Sequence, residues 1–226
     1  MFVLINQWYF ALLYAVRAAD TIGKLLPSVV AAVTEPLRQA LSALIPGPVP
    51  VVGETVKTTI PLCIDQPEAI GADLIAAAEG ALAQYAPPLV LIDMGTATTF
   101  SVPDKSGAFL GGAIAPGVQL GAEALMQRTG LPMAELSAPP SPLSHSTMDC
   151  LRSGVIYGAA AMVDGMLERL ETALGMPVTT AIATGGLAKC VIPHCRRPVT
   201  LDDGLLLRGL AVLYRKEKTA SICPSL

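Results

Sequence analysis

Blocks of apolar residues with different periods follow one another along this chain, and they predict helices and strands in turn. Residues 7 to 19 read as a helix, and so do residues 34 to 45, the latter with Thr34 as N-cap and Pro36 in its first turn. "PGPVPVV" breaks the pattern. The stretch "TTIPLCIDQPEAIGADLIAAAEGALAQY" has an extended half up to Pro67 and an Ala-rich helical half, which puts Gly71, Ala72 and Asp73 near a helix N-terminus. "PPLVLID" is a short buried strand, and "TTFSVPDKSGAFLGGAIAPG" a hairpin turning at Asp104 to Gly107, with Pro103 at a strand end. A helix near 117 to 129 and a Pro-rich loop come next. The long segment 148 to 174 then carries Leu151, Val155, Met162, Met166 and Leu170 at helical spacing. Ser146 and Asp149 form a variant capping box at its start. Gly154, Gly158 and Gly165 lower its helix propensity, so another element is expected close to that face. "VTTAIATGGLA" repeats the strand, Thr, paired-Gly and helix theme.

Composition narrows the picture. The 226 residues are 52% hydrophobic, enough for one large domain or two small ones. Aromatics are only 4% while Ala, Leu, Val and Gly dominate, a composition suited to helices packed on a sheet, so an α/β fold is expected. With a net charge of -3 and no block of Lys or Arg, the footprint of a nucleic-acid binder is missing, and a small-molecule ligand is the better expectation. Five irregularly spaced cysteines argue against a disulfide framework and for a reducing compartment, the cytoplasm. "KCVIPHC" lacks the paired spacing of structural zinc sites, and its cysteines read as incidental. The apolar start, "MFVLINQWYFALLYAVRAAD", is interrupted by Asn6 and Gln7 and falls short of the roughly 20 residues a bilayer span needs. It reads as a packed helix, with no membrane expected.

Candidate chemistry gathers at two strand-to-turn junctions, "DMGTATT" and "ATGGLA". Glycine lets backbone N–H groups approach a phosphate, and Thr hydroxyls add neutral donors. Neither junction is a Walker loop or a Rossmann fingerprint. Asp93 is repulsive to phosphate unless a cation lies between, since like charges a few Å apart repel by about 1 kcal/mol in water and more in a dry site. A bound cation is one reading of Asp93; a turn cap accepting from the N–H groups of Gly95 and Thr96 is the other. Gly185 and Gly186 can equally be a tight strand-to-helix turn, and Asp73 a first-turn acid favoured by the helix dipole.

Four segments together, "VKTTIPLCIDQPEAIGAD", "LIDMGTATTFSVPDKSGAFLGGAIAPGVQL", "STMDCLRSGVIYG" and "ATGGLA", resemble the type III pantothenate kinases, in the same order. These belong to the superfamily of acetate and sugar kinases, heat-shock ATPases and actin. The likeness runs from about Pro27 to Lys216. It implies an actin-like ATPase fold of two ribonuclease-H-like lobes with nucleotide between them, divided here as residues 1–86 and 87–226. It also implies a homodimer and the ATP-dependent phosphorylation of pantothenate to 4'-phosphopantothenate, the first step toward coenzyme A. Carried over by motif, Asp73 is the general base, and Asp93 the ligand of a monovalent cation, potassium or ammonium. Thr96 and Gly95 contact ATP phosphate, Gly185 and Gly186 border the nucleotide, and Gly71, Ala72, Asp73 and Thr147 hold pantothenate. ATP, Mg2+ and the monovalent cation are the implied cofactors. Phosphoryl transfer needs chiefly alignment and charge neutralisation, which this inventory supplies.

Three departures from the family pattern stand out. The family's first-strand Asp-x-Gly-Asn-Thr loop has no counterpart before Pro27, so the first lobe is expected to be truncated. Leu74 replaces the arginine of Gly-Ala-Asp-Arg, and an isobutyl group does not replace a guanidinium. Ile64 stands where a substrate-facing tyrosine is common. Leu74 and Ile64 both lie on the pantothenate side and point to a diverged substrate or a lost activity. The absent loop and Leu74 favour an alternative in which the chain is a non-catalytic paralogue that binds nucleotide or pantothenate and regulates a partner.

Overall fold

A computed structural model describes residues 31–44, 50–132 and 135–222; the helix expected over 7 to 19 lies outside them. In chain order the elements are α1 (Ala31–Leu44), α2 (Ala72–Leu82), β1 (Leu89–Met94), β2 (Ala97–Pro103), β3 (Phe109–Pro116) and α3 (Val118–Thr129). They continue with α4 (Thr147–Leu174), β4 (Thr180–Thr184), α5 (Ala188–Val191), β5 (Thr200–Leu201) and α6 (Leu205–Ile222). The chain divides into two compact units, one of residues 1–84 with 204–226 and one of residues 85–203.

In the first unit, α1 is already helical at Ala31 and Pro36 lies inside it, so Thr34 is not its N-cap. Residues 57 to 66 form no strand longer than an isolated bridge residue, and a single 3-10 turn, Pro67–Ala69, leads into α2. The Ala-rich sequence of α2 favours helix, and Gly71 caps it with extended backbone. Ala72, Ile75 and Ala76 of α2 pack with Leu210 and Leu213 of α6 and with Val52 and Val56. Burying each of the larger side chains contributes about 2 kcal/mol.

Small residues allow the helices to cross at backbone contact. A methyl group at Gly80 would overlap the Leu205 carbonyl, and one at Gly209 would overlap the Ala76 carbonyl. Glu79 is buried, and its carboxylate accepts from Lys216 Nζ and Thr58 Oγ1, each at 2.7 Å. Lys216 also reaches Thr59 Oγ1 at 2.7 Å. We expect Lys216→Met to lower stability by about 1–2 kcal/mol, because Glu79 would lose its cation while the half-exposed lysine limits the loss. Chemical denaturation of the variant beside Lys216→Arg checks this, with equal midpoints for Lys216→Met and the unsubstituted protein as the contrary outcome.

The second unit holds a five-stranded sheet of order β3-β2-β1-β4-β5. β1, β2 and β3 form an antiparallel meander, and β4 runs parallel to β1 and to β5. This is the strand arrangement of a ribonuclease-H-like sheet. The hairpin turns where Asp104 Oδ1 accepts from the Ser106 and Ala108 N–H groups at 2.8 and 3.0 Å, and Pro103 ends β2. Val90, Ile92 and Met94 of β1, with Phe100 and Val102 of β2, form one apolar face. Ile156, Ala160, Val163 and Leu167 of α4 cover it.

Ser146 caps α4: its hydroxyl accepts from the Asp149 N–H at 3.1 Å and donates to Asp149 Oδ2 at 2.8 Å. The helix ends at Gly175, whose φ of +70° is a left-handed cap. A methyl group at Gly154 or Gly158 would meet nothing within 4 Å, and at Gly165 only the tip of Arg169. The close approach expected at these glycines is therefore not made by any described part of this chain. Near the end of α4, Glu171 accepts a bidentate pair from Arg197 at 2.8 and 2.9 Å, which holds its carboxyl below the usual range.

Candidate active site

Asp93 is the fifth residue of β1, half-buried where the strand leaves the sheet. Register decides its neighbours. Thr99 of β2 stands directly opposite on one side and Thr184 of β4 on the other. Cross-strand partners share a face with Cβ atoms about 5 Å apart. A carboxylate is thus flanked by two hydroxyl-bearing side chains that the sequence reading left without a role.

Because β1 and β4 are parallel neighbours, their exits lie at the same edge of the sheet. This brings together Asp93, Gly95, Thr96, Gly185 and Gly186, which are separated by up to 93 positions in sequence. Gly95 and Thr96 are exposed in the first turn, and the Gly95 N–H donates to the Ala97 carbonyl at 3.1 Å. In the second turn Gly185 has φ of +97°. A methyl group there would lie 2.7 Å from Asp93 Oδ1 and from Met94 N. Glycine is required both for the left-handed backbone and for the closeness of the two turns. Gly117, the N-cap of α3, donates its N–H to the Thr96 carbonyl at 3.1 Å, and any side chain there would overlap that carbonyl. Alternation and turn propensity carry no signal for Thr99, Thr184 or Gly117 as site residues; strand register would have found all three.

The donor set at Asp93 is a carboxylate with neighbouring hydroxyls. Hard oxygen ligands suit potassium, ammonium or magnesium rather than a soft metal. No group of three His, Cys, Asp or Glu side chains forms a metal cage among the described residues. In "KCVIPHC", burial, with Asp164 nearby, pushes the Cys195 thiol up to about 11, so it stays protonated at neutral pH.

Gly71, Ala72 and Asp73 belong to the other unit and form the N-terminal turn of α2. Asp73 is half-buried, and its Oδ1 accepts from the Leu74 N–H at 2.8 Å. Burial pushes its carboxyl above the ordinary carboxylate value, and hydrogen bonds from the Leu74 and Asp73 N–H groups pull it partly back. A carboxylate shifted toward neutral pH is a better proton acceptor for an alcohol. Leu74 and Ile64 are also half-buried in this unit. Thr147 lies in the same unit as Asp93, exposed at the first position of α4.

The second unit thus carries a Gly- and Thr-rich double turn at one edge of a ribonuclease-H-like sheet, where backbone N–H groups can approach an anion. Comparison with known proteins supplies the class. The sequence description of the type III pantothenate kinases matches residues 7–169. A type III pantothenate kinase of Exiguobacterium sp. is 38% identical over 197 residues, covering 87% of this chain and 77% of that protein. One of Syntrophus aciditrophicus is 39% identical over 167 residues, covering 74% of this chain and 65% of that protein. Among solved structures, a conserved Baf-family protein of Campylobacter jejuni, described as a transcriptional activator, shares the fold with a TM-score of 0.52. That likeness is at 20% identity over 71% of this chain and 70% of that one. The chain belongs to the type III pantothenate kinase family, a family of phosphotransferases. No described helix is long and apolar enough to cross a membrane.

Proposed function

We propose that the protein phosphorylates the primary hydroxyl of pantothenate with ATP, yielding 4'-phosphopantothenate for coenzyme A synthesis in the cytoplasm. The observation that carries this reading is the paired turn: Asp93, Gly95, Thr96, Gly185 and Gly186 share one sheet edge, and Gly185 leaves no room for a side chain against Asp93. The Thr96 hydroxyl contacts nucleotide phosphate, Gly95 lets the phosphate approach the turn because it has no side chain, and Gly185 with Gly186 borders the nucleotide. Asp93 with Thr99 and Thr184 holds a potassium or ammonium ion. That ion supplies charge neutralisation between the carboxylate and the phosphates, with Mg2+ accompanying ATP. Gly71, Ala72 and Thr147 hold pantothenate, and Asp73 takes the proton of its hydroxyl. The family likeness also supports a homodimer, and the open surface at Gly154 and Gly158 of α4 is compatible with a second copy there.

In the full-length protein we expect ATP-dependent conversion of pantothenate that potassium stimulates. Asp93→Asn should lower kcat/KM for ATP by about 10²-fold, the scale of removing one fixed electrostatic group from a transition state. It should also abolish the rise in thermal midpoint that potassium produces in the unsubstituted protein. Potassium stabilisation that survives in Asp93→Asn would place the ion elsewhere. Leu74, an apolar residue where the family pattern has arginine, favours a second reading, a paralogue that binds without turnover. Calorimetric binding of pantothenate or nucleotide with no product formed would select it.

A further inference from the structure

One side of α4 carries a row of hydrogen-bond donors that the kinase reading does not use. Cys150, Ser153 and Tyr157 follow the cap residue Ser146 at intervals of four, three and four, so all lie on one helical stripe. Each donates to a backbone carbonyl of the loop that precedes the helix. Tyr157 Oη reaches the Pro139 carbonyl at 3.0 Å, Ser153 Oγ the Pro142 carbonyl at 2.5 Å, and Cys150 Sγ the Ser144 carbonyl at 3.3 Å. Partners descend in number as the helix ascends, so the loop runs back along α4, held at successive turns.

The loop needs this hold. "APPSPLSHS" has three prolines in nine residues, and proline has no N–H to give a neighbouring strand or turn. Within the segment Ser144 Oγ donates to the Ser141 carbonyl at 3.1 Å, while the carbonyls of Pro139, Pro142 and Ser144 are satisfied from α4. Ser153 is 7% exposed, so the bond to Pro142 is shielded from water. The Tyr157 ring is itself fixed, packing edge-on against His194 with centroids 5.0 Å apart. His194 closes the short 3-10 turn that follows α5, the helix entered from Gly185 and Gly186.

Resting on the reading that Thr147 contacts pantothenate, we propose that Ser153 and Tyr157 are positioning residues. They clasp the 139–144 loop to α4 and so hold that loop beside Thr147, the first residue of the helix, shaping the surroundings of its hydroxyl. The reaction then loses pantothenate affinity, not phosphate chemistry, when the clasp is opened. Thr147 opens α4 one residue beyond the Ser146 cap and three beyond the Ser144 anchor, so the clasped loop adjoins its hydroxyl.

Tyr157→Phe keeps the ring on His194 and deletes only the donor. In the full-length protein it should raise KM for pantothenate roughly 3- to 10-fold, the scale of one hydrogen bond. KM for ATP and kcat should stay within about twofold. Ser153→Ala should act in the same direction, and Ser153→Cys, which keeps a donor, should restore part of the loss. Hydrogen exchange of the amides over 137–146 is the readout independent of turnover: it should quicken in Tyr157→Phe and Ser153→Ala while the sheet amides keep their protection. Unchanged exchange in both variants overturns the clasp, as does a KM for ATP that rises as much as that for pantothenate. If the unsubstituted protein neither binds nor phosphorylates pantothenate, the functional reading fails instead, a result seen without any variant.

Discussion

Replacing Asp73 by Asn is expected to lower kcat for pantothenate phosphorylation by about 10²- to 10⁴-fold, the contribution typical of a positioned general base. The same substitution should leave the fold more stable at neutral pH. Burial raises the Asp73 carboxyl above its unfolded value, so the folded state disfavours the ionised form. As pH rises from below the unfolded carboxylate value of about 3.9 through the higher folded value, the unsubstituted protein loses stability that Asn does not lose. The melting midpoint of Asp73→Asn should therefore exceed that of the unsubstituted protein at pH 7, and the gap should close in acid. The Asn side chain keeps an oxygen for the Leu74 N–H, so the first turn of α2 is preserved. Falling activity with rising stability is what a strained catalytic group gives; a structural cap would give the reverse. In kcat/KM against pH, the acid limb should lie above the ordinary carboxylate range, and full turnover in Asp73→Asn would remove this residue from the base role.

Gly209→Ala should destabilise the protein by about 3 kcal/mol or more. The added carbon would overlap the Ala76 carbonyl and sit 3.1 Å from Gly80 N, both backbone of α2. Backbone in the middle of a helix cannot turn aside as a side-chain tip can, so α2 and α6 must separate and expose Ile75, Leu210 and Leu213. For a protein of this size the midpoint should fall by roughly 6 to 12 °C. Activity should fall with it, because α2 begins at the Asp73 turn. Gly154→Ala is the control: the same chemical change on a helix, with nothing within 4 Å, should stabilise by about 0.5–1 kcal/mol through helix propensity alone. Scanning calorimetry of the two variants checks both signs. A Gly154→Ala variant that loses stability instead, and does so only at concentrations where the protein associates, would show a second copy on that face.

Local readings of the sequence hold where local chemistry decides. The apolar run ending at Asp93, the hairpin at Asp104 to Gly107, the Ser146 cap and the helix start at Gly71 each depend on a few adjacent residues, and each is found where it was expected. α1 fails in its detail: its helix already covers Thr34, so a cap-forming residue type was not enough to mark a start. The glycines of α4 fail for another reason. Their low propensity suggests a close neighbour, yet the described chain leaves Gly154 and Gly158 open, while the helix glycines Gly80 and Gly209, which drew no notice, are pressed against backbone.

By itself, then, the sequence determined the strand, turn and cap elements of the candidate site and, through four ordered motifs, the family. The tertiary structure alone decided which elements meet. Register set Thr99 and Thr184 beside Asp93, the parallel pairing of β1 with β4 laid two distant glycine turns at one edge, and helix crossing joined α6 to α2. The physical reason is range. Propensity, capping and turn geometry act within about one turn of chain, whereas pairing and packing are chosen by the burial of surfaces that lie far apart in sequence.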